Sequence, residues 1–255
     1  MEFLTVYHTD IGNQKSVNQD ALLIKTANSS RGNVGFFVMC DGMGGLSKGE
    51  MSSATAIMTM SRWFEKILPT IILSNEWEEE IKTSIIDTIK KLNLKIKRYG
   101  EDNDLKLGTT LTILLIIENK YLVFHVGDSR AYKIEDNLYQ ITKDQSLVQR
   151  EVDLGNITKE QAKTYPKRNI LLQCIGVVSD VKIVVYEGKA EKNQIYMLCT
   201  DGFYHELDEK EIVDKLSSRD LVDEDNMYKA CVDMVELVKD RGERDNISVL
   251  LVKII

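Results

Sequence analysis

Five aspartates of this chain stand at the ends of apolar runs, where carboxylates from different strands can meet. Three close such runs: Phe36-Phe37-Val38-Met39-Cys40 leads into Asp41-Gly42-Met43-Gly44-Gly45, Tyr121 to Val126 into Gly127-Asp128-Ser129-Arg130, and Ile195 to Thr200 into Asp201-Gly202. Two open them: Asp20 precedes Ala21-Leu22-Leu23-Ile24, and Asp245 precedes Asn246-Ile247-Ser248-Val249-Leu250-Leu251-Val252. In an antiparallel sheet the end of one strand lies beside the start of its neighbour, so all these carboxylates can share one edge. Convergent carboxylates beside glycine-opened backbone make an oxygen-rich site for hard divalent cations. An Asp-Gly step alone is an ordinary turn signal. That reading covers Asp41 and Asp201 taken singly, but Asp128 and Asp245 have no following glycine.

The elements that must hold these aspartates follow from hydrophobic periodicity. The segment from Phe3 to Cys40 reads as strands joined by a polar turn at Asn28-Ser29-Ser30-Arg31-Gly32-Asn33. A helix follows, opened by the capping box Ser47-Lys48-Gly49-Glu50 and stopped by Pro69. Asn75-Glu76-Trp77-Glu78 caps a second, long helix with Trp77, Ile81, Ile85, Ile89, Leu92 and Ile96 on one face, a core-facing stripe rather than a cofactor contact. From Thr109 to Ile141 short apolar runs separated by tight turns predict an antiparallel meander. Between Thr142 and Val178 regularity weakens, and the pattern Thr158-Lys159-Glu160-Gln161 marks one short helix in an otherwise irregular surface flap. Strands at Val181 to Tyr186 and Ile195 to Cys199, helices at Asp208 to Leu216 and Met227 to Val238, and a last strand from Asn246 complete the chain. No internal repeat or linker interrupts residues 1–255, so one domain is expected, a layered α+β sandwich with the flap at about 142–178.

Composition excludes several classes. A net charge of −7 argues against nucleic acid as the main partner. The most apolar run, Leu111 to Ile117, is too short to span a bilayer, and the N-terminus lacks the pattern of a signal peptide, so a cytoplasmic protein without membrane contact is expected. The four cysteines (Cys40, Cys174, Cys199, Cys231) show no CxxC spacing and no C-x5-R pattern, which argues against zinc, a disulfide framework or a cysteine nucleophile. Gly42-Met43-Gly44-Gly45 follows a strand and precedes a helix but lacks both G-x-G-x-x-G and G-K-[ST], which disfavours a nucleotide site. Gly42 instead lets its own carbonyl turn toward a cation held by Asp41.

Taken together, Lys15-Ser16-Val17-Asn18-Gln19-Asp20, Asp41-Gly42-Met43-Gly44-Gly45, Gly108-Thr109-Thr110, Gly127-Asp128-Ser129-Arg130, Thr200-Asp201-Gly202 and Asp245-Asn246-Ile247-Ser248-Val249 resemble, in order and spacing, the bacterial type of the protein phosphatase 2C family, the metal-dependent protein serine/threonine phosphatases. The resemblance spans essentially the whole chain. It implies a four-layer αββα sandwich of two antiparallel sheets flanked by helices. It also implies hydrolysis of phosphoserine and phosphothreonine in proteins by water activated between two Mg2+ or Mn2+ ions, opposing a serine/threonine kinase. Asp41 would bridge the ions, Asp201 and Asp245 would complete one shell, and the Gly42 carbonyl would contribute to the other. Asp20 and Gln19 would act through water, and Asp128 with Asp201 would hold a third ion. Lys15 would grip the substrate phosphate where arginine is usual, as a point charge in place of a two-bond fork. Met43 stands where animal members carry a histidine, so that general acid is missing here. Gln145 replaces a common histidine, with an effect on substrate handling. The phosphoprotein substrate and the kinase are the partners implied, and the chain is expected to act as a monomer.

Three histidines remain to be placed. His125, inside a strand, reads as a buried structural residue, His205 is a candidate leaving-group acid at the site edge, and His8 gives no signal. Arg130 reads as an ion-pair partner of Asp128. The competing function is a catalytically inactive phosphoprotein-binding regulator on the same fold.

Overall fold

Runs of apolar residues too continuous for a half-solvated strand fill the middle of the chain, and each becomes a strand covered on both faces. The computed structural model describes residues 1–44, 48–217 and 221–255. One five-stranded antiparallel sheet has the order β1 (Phe3–Asp10), β12 (Ile247–Ile254), β11 (Ile195–Cys199), β8 (Arg130–Ile134), β9 (Leu138–Gln140). The other has the order β10 (Val184–Lys189), β7 (Lys120–Val126), β6 (Leu111–Ile117), β3 (Gly32–Cys40), β2 (Ala21–Ser29). A two-stranded piece, β4 (Gly42–Gly44) with β5 (Leu107–Thr109), adjoins them. Because β1 pairs with β12 along its whole length, the two ends of the chain close one sheet.

Side chains alternate between layers. Phe37 and Met39 of β3 meet Leu114 and Ile116 of β6 and Leu198 and Leu250 of the other sheet in the core between the sheets. Phe36 and Val38 point the opposite way, into a cluster with Trp63 of α1 (Gly49–Lys66) and with Ile81, Ile85 and Ile89 of α3 (Trp77–Asp102). Val249 and Leu251 of β12 pack on Cys231, Met234 and Val235 of α8 (Glu224–Asp240), beside α7 (Glu209–Leu216). The result is the expected αββα sandwich. The α3 stripe lies in the core, as its spacing predicts.

Several local readings change. Helix α1 starts after Lys48, which has a φ of 89° and no side-chain cap, while Ser47 of the expected capping box lies outside the described residues. Pro69 does not simply stop a helix, because it occupies the first turn of the short α2 (Leu68–Ile71), where its missing N–H costs nothing. At α3 the N-cap is Glu76 and no side chain caps the first turn, so Asn75 does not play that part; just before it the Ser74 hydroxyl accepts from the Glu76 N–H (3.1 Å) and bonds the Glu80 carboxylate. The run from Thr109 breaks into β5 and β6. The 142–178 segment holds two helices rather than one, α4 (Leu147–Asp153) and α5 (Lys159–Lys163). Neither buries a residue, which is why α4 left no core-facing stripe to read.

That segment is fastened at both ends. At its start Asp144 receives both arms of the buried Arg130 guanidinium (2.9 and 2.7 Å), so the partner of Arg130 is Asp144 and not Asp128. At its end Ile175 and Thr109 exchange two backbone hydrogen bonds (3.0 and 2.9 Å). The buried Asn93 side chain of α3 then accepts from Gly176 N–H (2.7 Å) and donates to Val178 O (2.9 Å). Replacing Asn93 by Ala strands both backbone groups, at about 1–3 kcal/mol each where water cannot reach them. We expect Asn93→Ala to speed amide hydrogen exchange at 174–178 while β6 keeps its protection. Equal acceleration in β6 would show that Asn93 supports the whole fold instead.

Candidate active site

Strand register brings the five aspartates to one rim. Ala21 pairs with Cys40, so Asp20 and Asp41 stand one residue beyond the same rung. Cys199 pairs with Val249 on one side and Arg130 on the other, which sets Asp201 beside the start of β12 and the preceding Asp245. Asp128 lies in the link from β7 to β8, where the chain passes from one sheet to the other. Asp201 begins a short helix, α6 (Asp201–Tyr204), rather than a simple turn.

Burial and mutual repulsion dominate the electrostatics. Burial first, then the charges of Asp20, Asp201, Asp128 and Asp245, hold the Asp41 carboxyl well above the usual carboxylate range. Asp128 is raised likewise by burial and by Asp201 and Asp144. Asp20 is pushed up to about 7 by burial and by Asp201 and Asp245, against the opposing hydrogen bonds of Ser248 and Thr200. Asp201 is pushed up to about 6 by burial and by Asp245.

Do these residues fit divalent cations? One buried oxygen each of Asp20 and Asp201 has no hydrogen-bond partner, although the other Asp20 oxygen accepts from Ser248 Oγ (2.7 Å) and Thr200 Oγ1 (3.0 Å). Partnerless buried oxygens in a concentration of negative charge are what a cation would satisfy. Among the described residues no group of three or more His, Cys, Asp or Glu side chains is gathered closely enough to hold a metal ion as it stands. Small hard ions do not need one, since Mg2+ keeps several waters and takes only one or two carboxylates. The donor set fits.

Much of what holds the rim is backbone chemistry that sequence spacing did not reveal. Asp41 N–H donates to Thr110 Oγ1 (2.8 Å), while Asp41 O accepts from Thr110 N–H and Thr109 Oγ1 (both 2.9 Å), which gives Gly108-Thr109-Thr110 its role. Asn246 Oδ1 accepts from Gln19 N–H (2.9 Å), and its amide nitrogen donates to Ile11 O (2.9 Å) and Val17 O (3.2 Å), tying down the loop that carries Lys15. Glu243 Oε1 accepts from the N–H groups of Arg244 (2.6 Å) and Asp245 (3.0 Å). Gly202 lies so close to Asn246 O that a Cβ there would approach to 2.2 Å.

Gly42 and Gln19 behave differently from expectation. Gly42 is not in the left-handed region, and its lack of a side chain serves close approach: a Cβ would lie 2.5 Å from both Gln19 O and Gly49 O. With its amide turned so that the nitrogen faces Gly42 O (3.2 Å) and the oxygen faces Gly49 N (3.1 Å), the Gln19 side chain satisfies both, a strut that needs a donor and an acceptor together, which no carboxylate supplies. Gln145 is also a strut, accepting from Gly127 N–H (2.9 Å) and donating to Lys182 O (3.0 Å), where substrate handling was expected.

Lys15 Nζ lies 2.6 Å from Asp245 Oδ1 in a cleft shared with Asp201, His205 and Arg168. Burial tends to lower the Lys15 ammonium, but the Asp245 hydrogen bond and the charges of Asp245, Asp41 and Asp201 outweigh it and raise it. His205 Nδ1 sits 3.8 Å from both Asp201 Oδ2 and Glu243 Oε2. Burial and the Arg168 charge push it down to about 4, so near pH 7 it is neutral and holds no imidazolium proton for a leaving group. His125 is buried against Thr112 Oγ1 (3.0 Å), the structural role its strand position predicts. Met43 lies in β4, paired with Gly108.

Comparison with known proteins places these features in a wider group. Residues 11–250 match the family profile described as protein phosphatase 2C. The serine/threonine phosphatase stp of Listeria welshimeri is 33% identical over 251 residues, 97% of this chain and 94% of that protein. The serine/threonine phosphatase of S. agalactiae superposes with a TM-score of 0.84 at 30% identity, with all of both chains covered. The catalytic domain of the serine threonine protein phosphatase PstP, solved in complex with two manganese ions, superposes with a TM-score of 0.77 at 25% identity over 99% of each chain.

The raised carboxyls generate a pH prediction for metal-free protein. In the fold Asp20 and Asp201 keep protons up to about 7 and about 6, whereas the unfolded chain releases them near 4. The folded state therefore binds more protons across that window, and stability falls as pH rises through it. Glu211, held down to about 2 mainly by its Arg241 hydrogen bond, and His125 and His205, both held down to about 4 by burial, have the opposite sign, but their contributions are complete above about pH 7. We expect chelator-treated protein to melt at lower temperature at pH 8 than at pH 7, and added Mn2+ to raise the melting temperature more at pH 8. A metal-free melting temperature that rises from pH 7 to pH 8 would contradict the repulsion.

Proposed function

The chain belongs to the protein phosphatase 2C family and is a metal-dependent protein serine/threonine phosphatase, and from that premise we propose how its own residues divide the work. Asp41, at the end of β3, would hold two core ions, and Asp201 and Asp245 would complete one of the shells. The Gly42 carbonyl would contribute to the other. Asp20 and Gln19 would act through water, Gln19 also bracing the Gly42–Gly49 contact. Asp128, with Asp201, would hold a third, looser ion. When bound, Mg2+ or Mn2+ supplies an activated water and neutralises charge on the phosphoryl oxygens.

Lys15 receives the substrate phosphate. Its pair with Asp245 is 38% and 35% exposed, so it is worth about 0–1 kcal/mol and yields readily to a doubly charged phosphate. The observation that carries this division of labour is the convergence of the aspartates at one rim, with a buried oxygen each of Asp20 and Asp201 left without a hydrogen-bond partner; their raised carboxyls agree with it. A phosphoprotein-binding regulator would gain nothing from maintaining that repulsion. The four cysteines are buried and unpaired; burial pushes Cys174 and Cys231 up to about 12 and Cys40 and Cys199 higher still, so none competes as nucleophile. Among the described residues no helix is long and apolar enough to cross a membrane. In this reading the chain is one domain, acts as a monomer in the cytoplasm, and reverses the work of a serine/threonine kinase.

Phosphoserine and phosphothreonine peptides should be hydrolysed with Mn2+ or Mg2+ and not in excess chelator. Asp41→Ala and Asp245→Ala should each abolish turnover. Asp128→Ala should lower the rate while two ions remain bound, and unchanged turnover at limiting metal would make Asp128 structural.

Lys15→Arg replaces one charge-assisted contact by two, and should lower KM several-fold, on the order of 1 kcal/mol. Lys15→Ala should raise KM more than it lowers kcat. If neither change alters phosphopeptide kinetics, Lys15 does not meet the phosphate.

A further inference from the structure

A groove of about 600 Å3 separates the 142–178 segment from the second core, within the size range of pockets that take a ligand. On one wall Val148 and Val152 of α4 and Ala162 of α5 are half-buried, yet they belong to none of the three hydrophobic clusters. The facing wall is Tyr204, Leu207 and Ile212, which are core residues. Apolar side chains on both sides thus face a space that neither wall fills. Two of the charge pairs around it are closed on each other, Arg130 on Asp144 (2.7 Å) and Lys163 of α5 on Asp208 before α7 (2.9 Å), while Asp128, Lys159, Glu160 and Glu209 also line it.

The groove continues from the catalytic cleft. Arg168 and His205 line both it and the cleft that holds Lys15, Asp201 and Asp245. An occupant reaching from one to the other is therefore a chain that runs on from the phosphorylated residue. We propose that this groove binds the stretch of substrate polypeptide beside the phosphoresidue and accepts one apolar side chain of the Leu, Met or Phe class. The proposal rests on the phosphatase reading and adds a substrate preference to it. The apolar part of the groove, between Val148, Val152 and Ala162 on one side and Tyr204, Leu207 and Ile212 on the other, discriminates by desolvation: an aliphatic side chain is favoured there and a carboxylate disfavoured.

The test scans each position flanking a phosphothreonine with Leu, Ser and Asp, and measures kcat/KM for each peptide with Mn2+ present. At one position, the same in different peptide backgrounds, Leu should exceed Ser by about tenfold or more, with Asp lowest. Val152→Asp, and independently Val148→Asp, should collapse that Leu/Ser ratio toward one, a readout normalised within each variant. A wild-type ratio within about twofold at every position would overturn the proposal, and so would a preference that survives both substitutions; the groove would then be left to a small molecule or to closure of α4 and α5 alone. Hydrolysis of p-nitrophenyl phosphate distinguishes the two levels: metal-dependent turnover without side-chain preference refutes only the groove, whereas no turnover of any phosphate ester refutes the phosphatase reading and the groove with it.

Discussion

Two negative charges about 4 Å apart repel by roughly 1 kcal/mol in water and about 4 kcal/mol at the effective permittivity of a partly buried site. The rim between the two sheets brings five aspartates within reach of one another's fields. Neighbouring elements are arranged against the resulting tendency to spread. Thr109 and Thr110 bond the Asp41 backbone on both its N–H and C=O sides, Glu243 accepts from the N–H groups of Arg244 and Asp245, and Asn246 stitches the 11–19 loop to the last strand. None of these bonds uses an aspartate carboxylate oxygen. These aspartates are positioned largely through their main chain, and one buried oxygen each of Asp20 and Asp201 has no protein partner.

The same economy links the site to the segment above it. Thr109 bonds Asp41 O through its hydroxyl and pairs with Ile175 through its backbone, so one residue joins Asp41 to the return of the 142–178 segment. Gln145 bonds Gly127, next to Asp128, from the outgoing side. Both ends of the segment are thus one residue removed from a carboxylate of the rim. Its middle, α4 and α5, has no buried residue and is free to respond to what lies beneath.

Much of this was legible in the sequence for a physical reason. Strand ends are marked locally, by apolar runs and by the aspartate that follows or precedes them, and antiparallel pairing does the rest. The α3 stripe was equally plain, because helical periodicity is a property of one segment. What escaped were interactions between residues distant in sequence with no local signature. Arg130 was assigned to its neighbour Asp128, and the fold gave it Asp144. For Gln19 and Gln145 the sequence points to water and substrate, and the fold adds a backbone contact to each that has no local signature, since one amide can meet a carbonyl and an N–H at once. Helix α4 was missed because a helix that buries nothing carries no periodic stripe. His205 lost its candidacy as an acid through burial and Arg168, neither visible from a position four residues after Asp201.

The central claim is that repulsion among the rim carboxylates is relieved by divalent cations. Equilibrium titration with Mn2+, read by the electron paramagnetic resonance of the free ion, tests it without reference to any substrate. The account predicts two tightly bound ions per chain, fewer in Asp41→Asn, and weaker binding as pH falls through about 7 and about 6, where Asp20 and Asp201 take up protons. A chain that binds no Mn2+ at neutral pH, or binds it equally well after Asp41→Asn, would contradict it.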